Sequence, residues 1–250
     1  MDVTLAERHK VEQQFHDHVA GRERTDFYAW GALDAADAYA RSLIDRPAGA
    51  RILDLGCGDG ENTLYFAERG AQICAIDISA GQVGVTRQRV ARAGYSAQVS
   101  VQQMSGEYLG FADGTFDYVF GHSVMHHTDL AITRNEIRRI LRPGGRAIFL
   151  EPLDHNPLLQ IFRRLTPNRR TPTERPLSMR DITFFAEPFA AHHHREFYLL
   201  ALAAWGFVPL RMEQPYRAAL AALNLLDRAL FALRPDLGRF AWVTVIALTR

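Results

Sequence analysis

The sequence predicts an α/β fold with a doubly wound, mostly parallel sheet of seven strands. Two observations predict it: short apolar runs alternate with amphipathic helical patterns, and a glycine-rich turn directly follows the first apolar run. The strands are predicted at 51–55, 72–77, 97–102, 116–120, 146–150, 207–213 and 240–248. Helices are predicted at 3–20, 32–45, 61–69, 80–93, 129–141, 195–205 and 216–233.

These elements follow from local patterns taken in chain order. The first helix is polar and amphipathic, the second is alanine-rich, and the break at 47–49 (PAG) ends the second. The runs 51–55 and 72–77 are short and apolar, which is typical of buried strands. The alternation then continues to Leu150, where residues 152–191, with six of the chain's eleven prolines, interrupt it. We therefore expect insertions late in the fold, where a lid over a ligand site would lie.

The charge balance and the cysteine content narrow the classes of function. The net charge of +1 argues against a nucleic-acid partner, which requires a basic excess to neutralise phosphates. The two cysteines, Cys57 and Cys74, lie outside any CxxC pattern, which argues against a disulfide framework and favours a reducing compartment. The N-terminus has no apolar signal core, and no run approaches the roughly 20 apolar residues of a membrane span. We expect a cytoplasmic protein without a membrane span.

The most informative segment is the glycine turn Asp54–Gly60 (DLGCGDG), followed about 20 residues later by Asp77 at the end of the second strand. Glycines let the backbone turn sharply, and an acidic side chain at that position accepts hydrogen bonds from ribose hydroxyls. Glu61 occupies the third glycine position of a dinucleotide fingerprint. The acidic side chains of Asp54, Asp59 and Glu61 would repel a pyrophosphate but suit an ammonium and a sulfonium. The pattern favours S-adenosylmethionine over a dinucleotide or a plain structural turn.

Four motifs in this order resemble the class I S-adenosylmethionine-dependent methyltransferases, in particular the small-molecule, methyltransferase type 11-like family. The motifs lie at 52–60, 75–79, 116–127 and 140–146, and the resemblance covers about residues 50–152. It implies a Rossmann-like methyltransferase fold, with S-adenosylmethionine as cofactor and S-adenosylhomocysteine as product. It also implies a single domain with a helical cap at 1–48, a cofactor-binding core at 49–151 and a substrate-binding half at 152–250, whose insertions lie at 152–194 and 214–239.

The resemblance implies cofactor contacts at matching positions. The first motif would line the methionine end, Asp77 would hold the ribose, and the residue after it would pack on the adenine. Ser105 departs from the aspartate that the family often has for the adenine amino group, which leaves the backbone near Gly106 to read the base. The implied cofactor-binding residues are Asp54, Gly56, Cys57, Gly58, Asp77, Ile78, Ser105, Gly106 and His122.

Three residues near the expected methyl position are candidate catalytic groups: His122, His126 and Glu151. A general base is needed only where the acceptor must lose a proton. His122 lies just after the fourth strand and is the preferred candidate. His126 also fits a packing and capping role at a helix start, and Glu151 also fits helix capping or a salt bridge.

Residues outside the motifs are candidates for the acceptor site. The arginines of 163–180 fit either a clamp on an anionic group or a solvated loop. Phe27, Tyr28 and Trp30 fit closure over the cofactor or core packing, and helix 216–233 fits core packing or a homodimer face. No metal site is predicted at His192–His194, since adjacent histidines on a helix diverge. The candidate substrate-binding residues are Tyr28, Arg169, Arg175, His193 and Tyr198.

These features predict transfer of a methyl group to a small organic acceptor through oxygen, carbon or nitrogen. The segment 121–124 (GHSV) differs from the Asn/Asp-Pro-Pro-aromatic tetrapeptide that nucleic-acid amino-methylating enzymes of this fold often carry. The alternatives are a protein methyltransferase, a non-catalytic scaffold that binds S-adenosylmethionine, and a NAD-dependent oxidoreductase.

Overall fold

The computed structural model describes residues 4–21 and 28–250, and its centre is one seven-stranded sheet in the order β3-β2-β1-β4-β5-β7-β6. Its strands are β1 Arg51–Leu55, β2 Gln72–Asp77, β3 Val99–Gln103, β4 Phe116–His122, β5 Leu141–Pro152, β6 Ala191–Phe197 and β7 Val243–Thr249. Strands β1 to β5 pair in parallel, whereas β7 is antiparallel to both β5 and β6. The predicted doubly wound, mostly parallel sheet is confirmed.

Helices cover both faces of this sheet. They are α1 Leu5–Val19, α2 Asp34–Ser42, α3 Glu61–Ala67, α4 Ala80–Arg92, α5 Leu130–Ile140, α6 Pro157–Leu165, α7 Met179–Ala186 and α8 Glu213–Leu233. Short 3₁₀ segments lie at Met125–His127, Pro167–Arg169, Leu200–Phe207 and Pro235–Phe240. Successive residues of β1 point to opposite faces, so Ile52 joins the apolar cluster that includes Phe66 of α3 and Leu53 joins the one that includes Ile137 of α5. Burial on both faces explains why the central strands are continuous apolar runs.

The C-terminal half differs from the prediction at two elements. The helix predicted near 195–205 and the strand predicted at 207–213 are wrong: residues Ala191–Phe197 form β6 and Leu200–Phe207 form a 3₁₀ segment. Strand β6 is an edge strand whose histidines His192–His194 are exposed, so it lacks the apolar run that marks the inner strands. The segment after it is apolar because it packs against α8 and Trp242.

A side chain of helix α1 caps the N-terminus of α4, and this contact fixes the position of α1. The Asp17 carboxylate accepts hydrogen bonds from the Ser79 hydroxyl (2.5 Å) and the Gly81 amide (2.9 Å) at the start of α4. A carboxylate at a helix N-terminus is favoured by the unpaired amides and the helix dipole. This contact places α1 beside the carboxyl end of β2. Across the two described stretches of the chain, no helix is long and apolar enough to cross a membrane.

Candidate active site

A cleft opens at the carboxyl edge of the sheet. The turns after β1, β2 and β4 line one side of it, and α1 lines the other through His9, Glu12 and His16. Ligands of open α/β sheets bind at this edge, where neighbouring connections lead to opposite faces.

The glycine turn brings bare backbone to the wall of the cleft. Gly56 has φ of +70°, and a Cβ added there would lie 2.6 Å from a methyl carbon of Val124. Gly58 has φ of +52°, and its amide donates a hydrogen bond of 3.0 Å to Asp77 Oδ2. Larger residues would be strained at both positions. The turn therefore lets a ligand approach the main chain closely.

Asp77 lies at the end of β2 with its carboxylate on the cleft wall. Its oxygens accept the amides of Gly58 and Ser79, the latter at 2.9 Å. Burial raises the pKa of this carboxyl, and the two amides only partly oppose that effect. A group with remaining acceptor capacity in this position suits the hydroxyl donors of a ribose.

At the opposite end of the cleft, Gly106 and Glu107 take the place expected for the adenine. Glu107 is almost fully buried, and its carboxylate accepts the Asp129 amide (3.0 Å) and lies 3.1 Å from His9 Nε2. Ser105 does not line the cleft, although Gly106 and Glu107 do. The sequence analysis did not predict Glu107 as a site residue. It could have been found as the acidic residue two positions after Ser105, where an aspartate was expected.

Two predicted cofactor residues support the turn from behind. Asp54 is buried, and its Oδ2 accepts the Thr63 hydroxyl at 2.5 Å. The Cys57 thiol packs into the apolar core beside Thr86, and burial raises its pKa. Neither side chain lines the cleft; both shape the turn, and their contact with the cofactor stays a prediction. The other predicted first-motif residues, Gly56 and Gly58, do line it.

A pH effect on stability follows from Asp54. Burial raises its pKa to about 6, against the opposing hydrogen bond from Thr63. Because the unfolded carboxyl titrates near ~3.9, this group's stabilisation is complete below that pH and is lost as the pH rises through about 6. We expect Asp54→Asn, whose amide oxygen still accepts the Thr63 hydroxyl, to gain about 2 kcal/mol over the parent between about pH 4.5 and 6.5. Urea unfolding of both ligand-free proteins at these pH values tests this; a constant difference would contradict it.

His122 ends β4 and lines the cleft near the glycine turn. Its Nε2 lies 3.0 Å from Oδ1 of Asp37 on α2, a residue that the sequence analysis missed. A carboxylate beside an imidazole fixes its tautomer and orientation. Of the three predicted catalytic residues, His122 is the one that the structure brings to the cleft.

His126 and Glu151 lie behind the cleft wall instead. Glu151 has no exposed surface, and its carboxylate accepts the amides of Val124 (2.9 Å) and Met125 (2.8 Å) at the start of the 3₁₀ turn. His126 Nδ1 donates to the same carboxylate at 2.7 Å, and burial holds the pKa of His126 below its usual value. The structure thus places both residues outside the lining of the cleft, and Glu151 caps the turn that carries His127 into it.

A second group of polar residues lies where α1 meets this turn. Glu12 of α1 is buried, and its Oε1 accepts the hydroxyls of Thr171 (2.8 Å) and Thr173 (2.5 Å). Its Oε2 lies 2.9 Å from His127 Nδ1 and 3.6 Å from His16 Nε2. Burial opposes ionisation of Glu12, yet the two histidines and the threonine hold its pKa well below its ordinary value. Glu12 and His16 were missed because nothing local distinguishes them from a solvated helix face.

The predicted substrate residues lie away from the cleft. Arg169 and Arg175 are exposed, and Arg175 pairs with Asp181 at 2.7 Å. An exposed arginine that already has a carboxylate partner is a poor clamp for a ligand. The arginine-clamp prediction is therefore not supported by these two positions.

The remaining three substrate candidates also lie outside the lining of the cleft, and their role stays a prediction. His193 lies on β6 within 3.5 Å of the Tyr39 hydroxyl, and the Tyr198 hydroxyl accepts the Ala36 amide in the core. Tyr28 is 43% exposed and contacts the ring of Trp242. None of the three lines the cleft. The prediction for Phe27 lies outside the described residues.

The sheet order, the glycine turn and Asp77 together define an α/β protein that binds a nucleoside-containing ligand at its carboxyl edge. A family model described as "Methyltransferase domain" matches residues 53–149. The ubiquinone/menaquinone biosynthesis C-methyltransferase UbiE of Geotalea daltonii is 30% identical over 169 residues, 64% of this chain and 70% of that protein. The chain therefore belongs to the S-adenosylmethionine-dependent methyltransferases, which confirms the predicted family and the cofactor that defines it.

Other relatives match a smaller part of their own length. The demethylmenaquinone methyltransferase of Symbiobacterium thermophilum is 39% identical over 107 residues, which is 41% of this chain and 43% of that protein. The chain thus spans about two fifths of the length of two of the curated relatives that it matches. Among solved structures, the geranyl diphosphate C-methyltransferase of Streptomyces coelicolor A3(2) has the same fold, with a TM-score of 0.66, 15% identity and coverage of 97% of this chain and 98% of that one.

Proposed function

We propose that the protein transfers the methyl group of S-adenosylmethionine to a small organic acceptor. The main support is the buried Asp77 carboxylate on the cleft wall, next to Gly56 and Gly58, which have no side chains to block a ligand. S-adenosylmethionine supplies a methyl group already activated by its sulfonium. The protein then contributes mainly alignment and exclusion of water, since the displacement needs no further activation of the donor.

The residues fit this cofactor from end to end. Gly56, Gly58 and His122 lie at the end expected for the methionine part, Asp77 at the ribose, and Ile78 and Gly106 at the adenine. Helix α1 covers the opening between these ends through Glu12 and His16. This supports the proposed division into a helical cap, a cofactor-binding core and a substrate-binding half.

His122 is the proposed general base for acceptors that lose a proton. Its imidazole lines the cleft, and the Asp37 carboxylate 3.0 Å away orients it. Oxygen, carbon and nitrogen acceptors all remain within the proposal. The names of the relatives make demethylated quinones the first acceptors to test.

Three broader features complete the proposal. The net charge of +1 supports a small-molecule acceptor rather than a nucleic acid. The two free cysteines support a cytoplasmic location. The exposed leucines of α8, Leu225, Leu226 and Leu233, support a homodimer face.

Calorimetric titration with S-adenosylhomocysteine, in parallel with NADH, tests the proposal. We expect binding of S-adenosylhomocysteine with a micromolar or lower Kd and no measurable binding of NADH. Incubation with S-adenosylmethionine and a panel of hydroxylated, aminated and quinone acceptors is expected to release S-adenosylhomocysteine with at least one of them. A folded protein that binds NADH and not S-adenosylhomocysteine would overturn the proposal.

A further inference from the structure

Three potential metal ligands converge at the inner end of the cleft. Glu12 and His16 lie four residues apart on α1 and therefore share one helix face, and His127 approaches from the turn after β4. One ligand atom from each, Glu12 Oε2, His16 Nε2 and His127 Nδ1, lies within 4.8 Å of the others. All three residues also line the cleft, so a group bound between them would contact the same space as the cofactor and acceptor.

Hydrogen bonds account for only part of this convergence. The two threonine hydroxyls satisfy Glu12 Oε1, whereas Oε2 is buried with no hydrogen-bond partner among the described residues. The same holds for His127 Nδ1 within the described part of the chain, although it lies 2.9 Å from Oε2. A buried oxygen and a buried nitrogen that lie 2.9 Å apart without a well-aligned hydrogen bond would both be satisfied by an ion that contacts them.

The distances fit bonds to one metal ion. Ligand bonds of about 2.0–2.2 Å in a tetrahedral arrangement place neighbouring ligand atoms about 3.4 Å apart. The carboxylate oxygen lies 2.9 Å from His127 Nδ1 and 3.6 Å from His16 Nε2, which brackets that separation. Small rotations of the side chains would equalise the two distances.

We propose that Glu12, His16 and His127 bind a divalent transition-metal ion such as Zn²⁺ or Co²⁺. Two imidazole nitrogens and one carboxylate oxygen suit these ions better than they suit Mg²⁺ or Ca²⁺, which prefer oxygen ligands. Three protein ligands leave an open position, and here it faces the cleft. That position takes an oxygen of the acceptor, which the ion holds and whose proton it makes more acidic. This last step rests on the proposed methyl transfer, whereas the metal site itself does not.

The proposal is tested by titrating the full chain, without cofactor, with Co²⁺ and with Zn²⁺. Calorimetry is expected to give one site per chain, and bound Co²⁺ is expected to produce visible absorption bands. His16→Ala is the main variant, because His16 is 27% exposed and its loss leaves the core intact. We expect it to weaken binding at least 100-fold. His194→Ala is the matched control, since His194 also pairs with a glutamate but lies on β6.

The outcomes separate this proposal from the proposed function. No binding of either ion at micromolar concentration, or equal binding by the parent and His16→Ala, overturns the metal site. Titration of the same metal-free samples with S-adenosylhomocysteine reports on the cofactor site independently. Binding of S-adenosylhomocysteine without binding of the metal would overturn the metal site and leave the methyltransferase proposal intact. Binding of the metal without binding of S-adenosylhomocysteine would overturn the methyltransferase proposal and support the metal site.

Discussion

Replacing Asp77 with asparagine is expected to weaken the binding of S-adenosylhomocysteine at least about 100-fold. The carboxylate accepts the amides of Gly58 and Ser79 and faces the cleft. Asparagine removes the negative charge and replaces one acceptor oxygen with an NH₂ group, which would face these amides or the ribose hydroxyls as another donor. Hydrogen bonds to charged groups contribute about 1.5–3 kcal/mol each. The loss of two such bonds to the ribose hydroxyls therefore corresponds to a weakening of at least about 100-fold. Calorimetric titration of the parent and the variant measures it.

The matched control is Asp113→Asn, the same change on a side chain that is 75% exposed and pairs with Arg139. We expect this control to bind S-adenosylhomocysteine as the parent does. Circular dichroism and thermal melting of all three proteins separate a binding defect from loss of the fold. An Asp77→Asn protein that is folded and binds within threefold of the parent would show that the carboxylate does not hold the ribose.

The cofactor half of the cleft was predictable because its signals are local in sequence. The glycine turn needs positive φ at three alternate positions, Gly56, Gly58 and Gly60, and such positions select glycine directly. Asp77 is found by its place at the end of an apolar run. Both signals lie within a short stretch of chain that forms one βαβ unit, so no tertiary information is required to read them.

The partners supplied by distant elements were not predictable in the same way. Glu12 on α1 and Asp37 on α2 read as solvated helix positions, and only the packing of those helices brings them to His127 and His122. The histidines of β6 were misread for the opposite reason. A polar edge strand has no apolar period, so its sequence resembles a solvated helix start.

The positions of His126 and Glu151 illustrate a further limit. Glu151 is one of the last two residues of β5 and His126 lies just after β4, so both are near the carboxyl edge of the sheet, where ligands of this fold bind. Sequence position alone does not separate a residue that lines the cleft from one behind its wall. The structure separates them because Glu151 already satisfies three main-chain amides and a ring nitrogen. Its acceptor capacity is used by the protein itself.

Glu151→Ala is accordingly expected to lower the free energy of unfolding by about 4 kcal/mol. The substitution leaves the amides of Val124 and Met125 and the ring of His126 buried without their acceptor, and an unpaired buried donor is destabilising by about 1–3 kcal/mol. Urea unfolding at neutral pH measures the change. The exposed pair Glu187–Arg134 provides the control, because Glu187→Ala is expected to change stability by less than about 0.5 kcal/mol.

Glu151→Gln distinguishes the capping role from a catalytic one. Its amide oxygen still accepts the Val124 and Met125 amides, and its NH₂ group donates to His126 Nδ1 once that imidazole carries its proton on Nε2. We expect this variant to recover most of the stability and to bind S-adenosylhomocysteine like the parent. A catalytic carboxylate would give the opposite pattern: Glu151→Ala would stay within 1 kcal/mol of the parent in stability, while Glu151→Gln would lose methyl transfer with its fold intact.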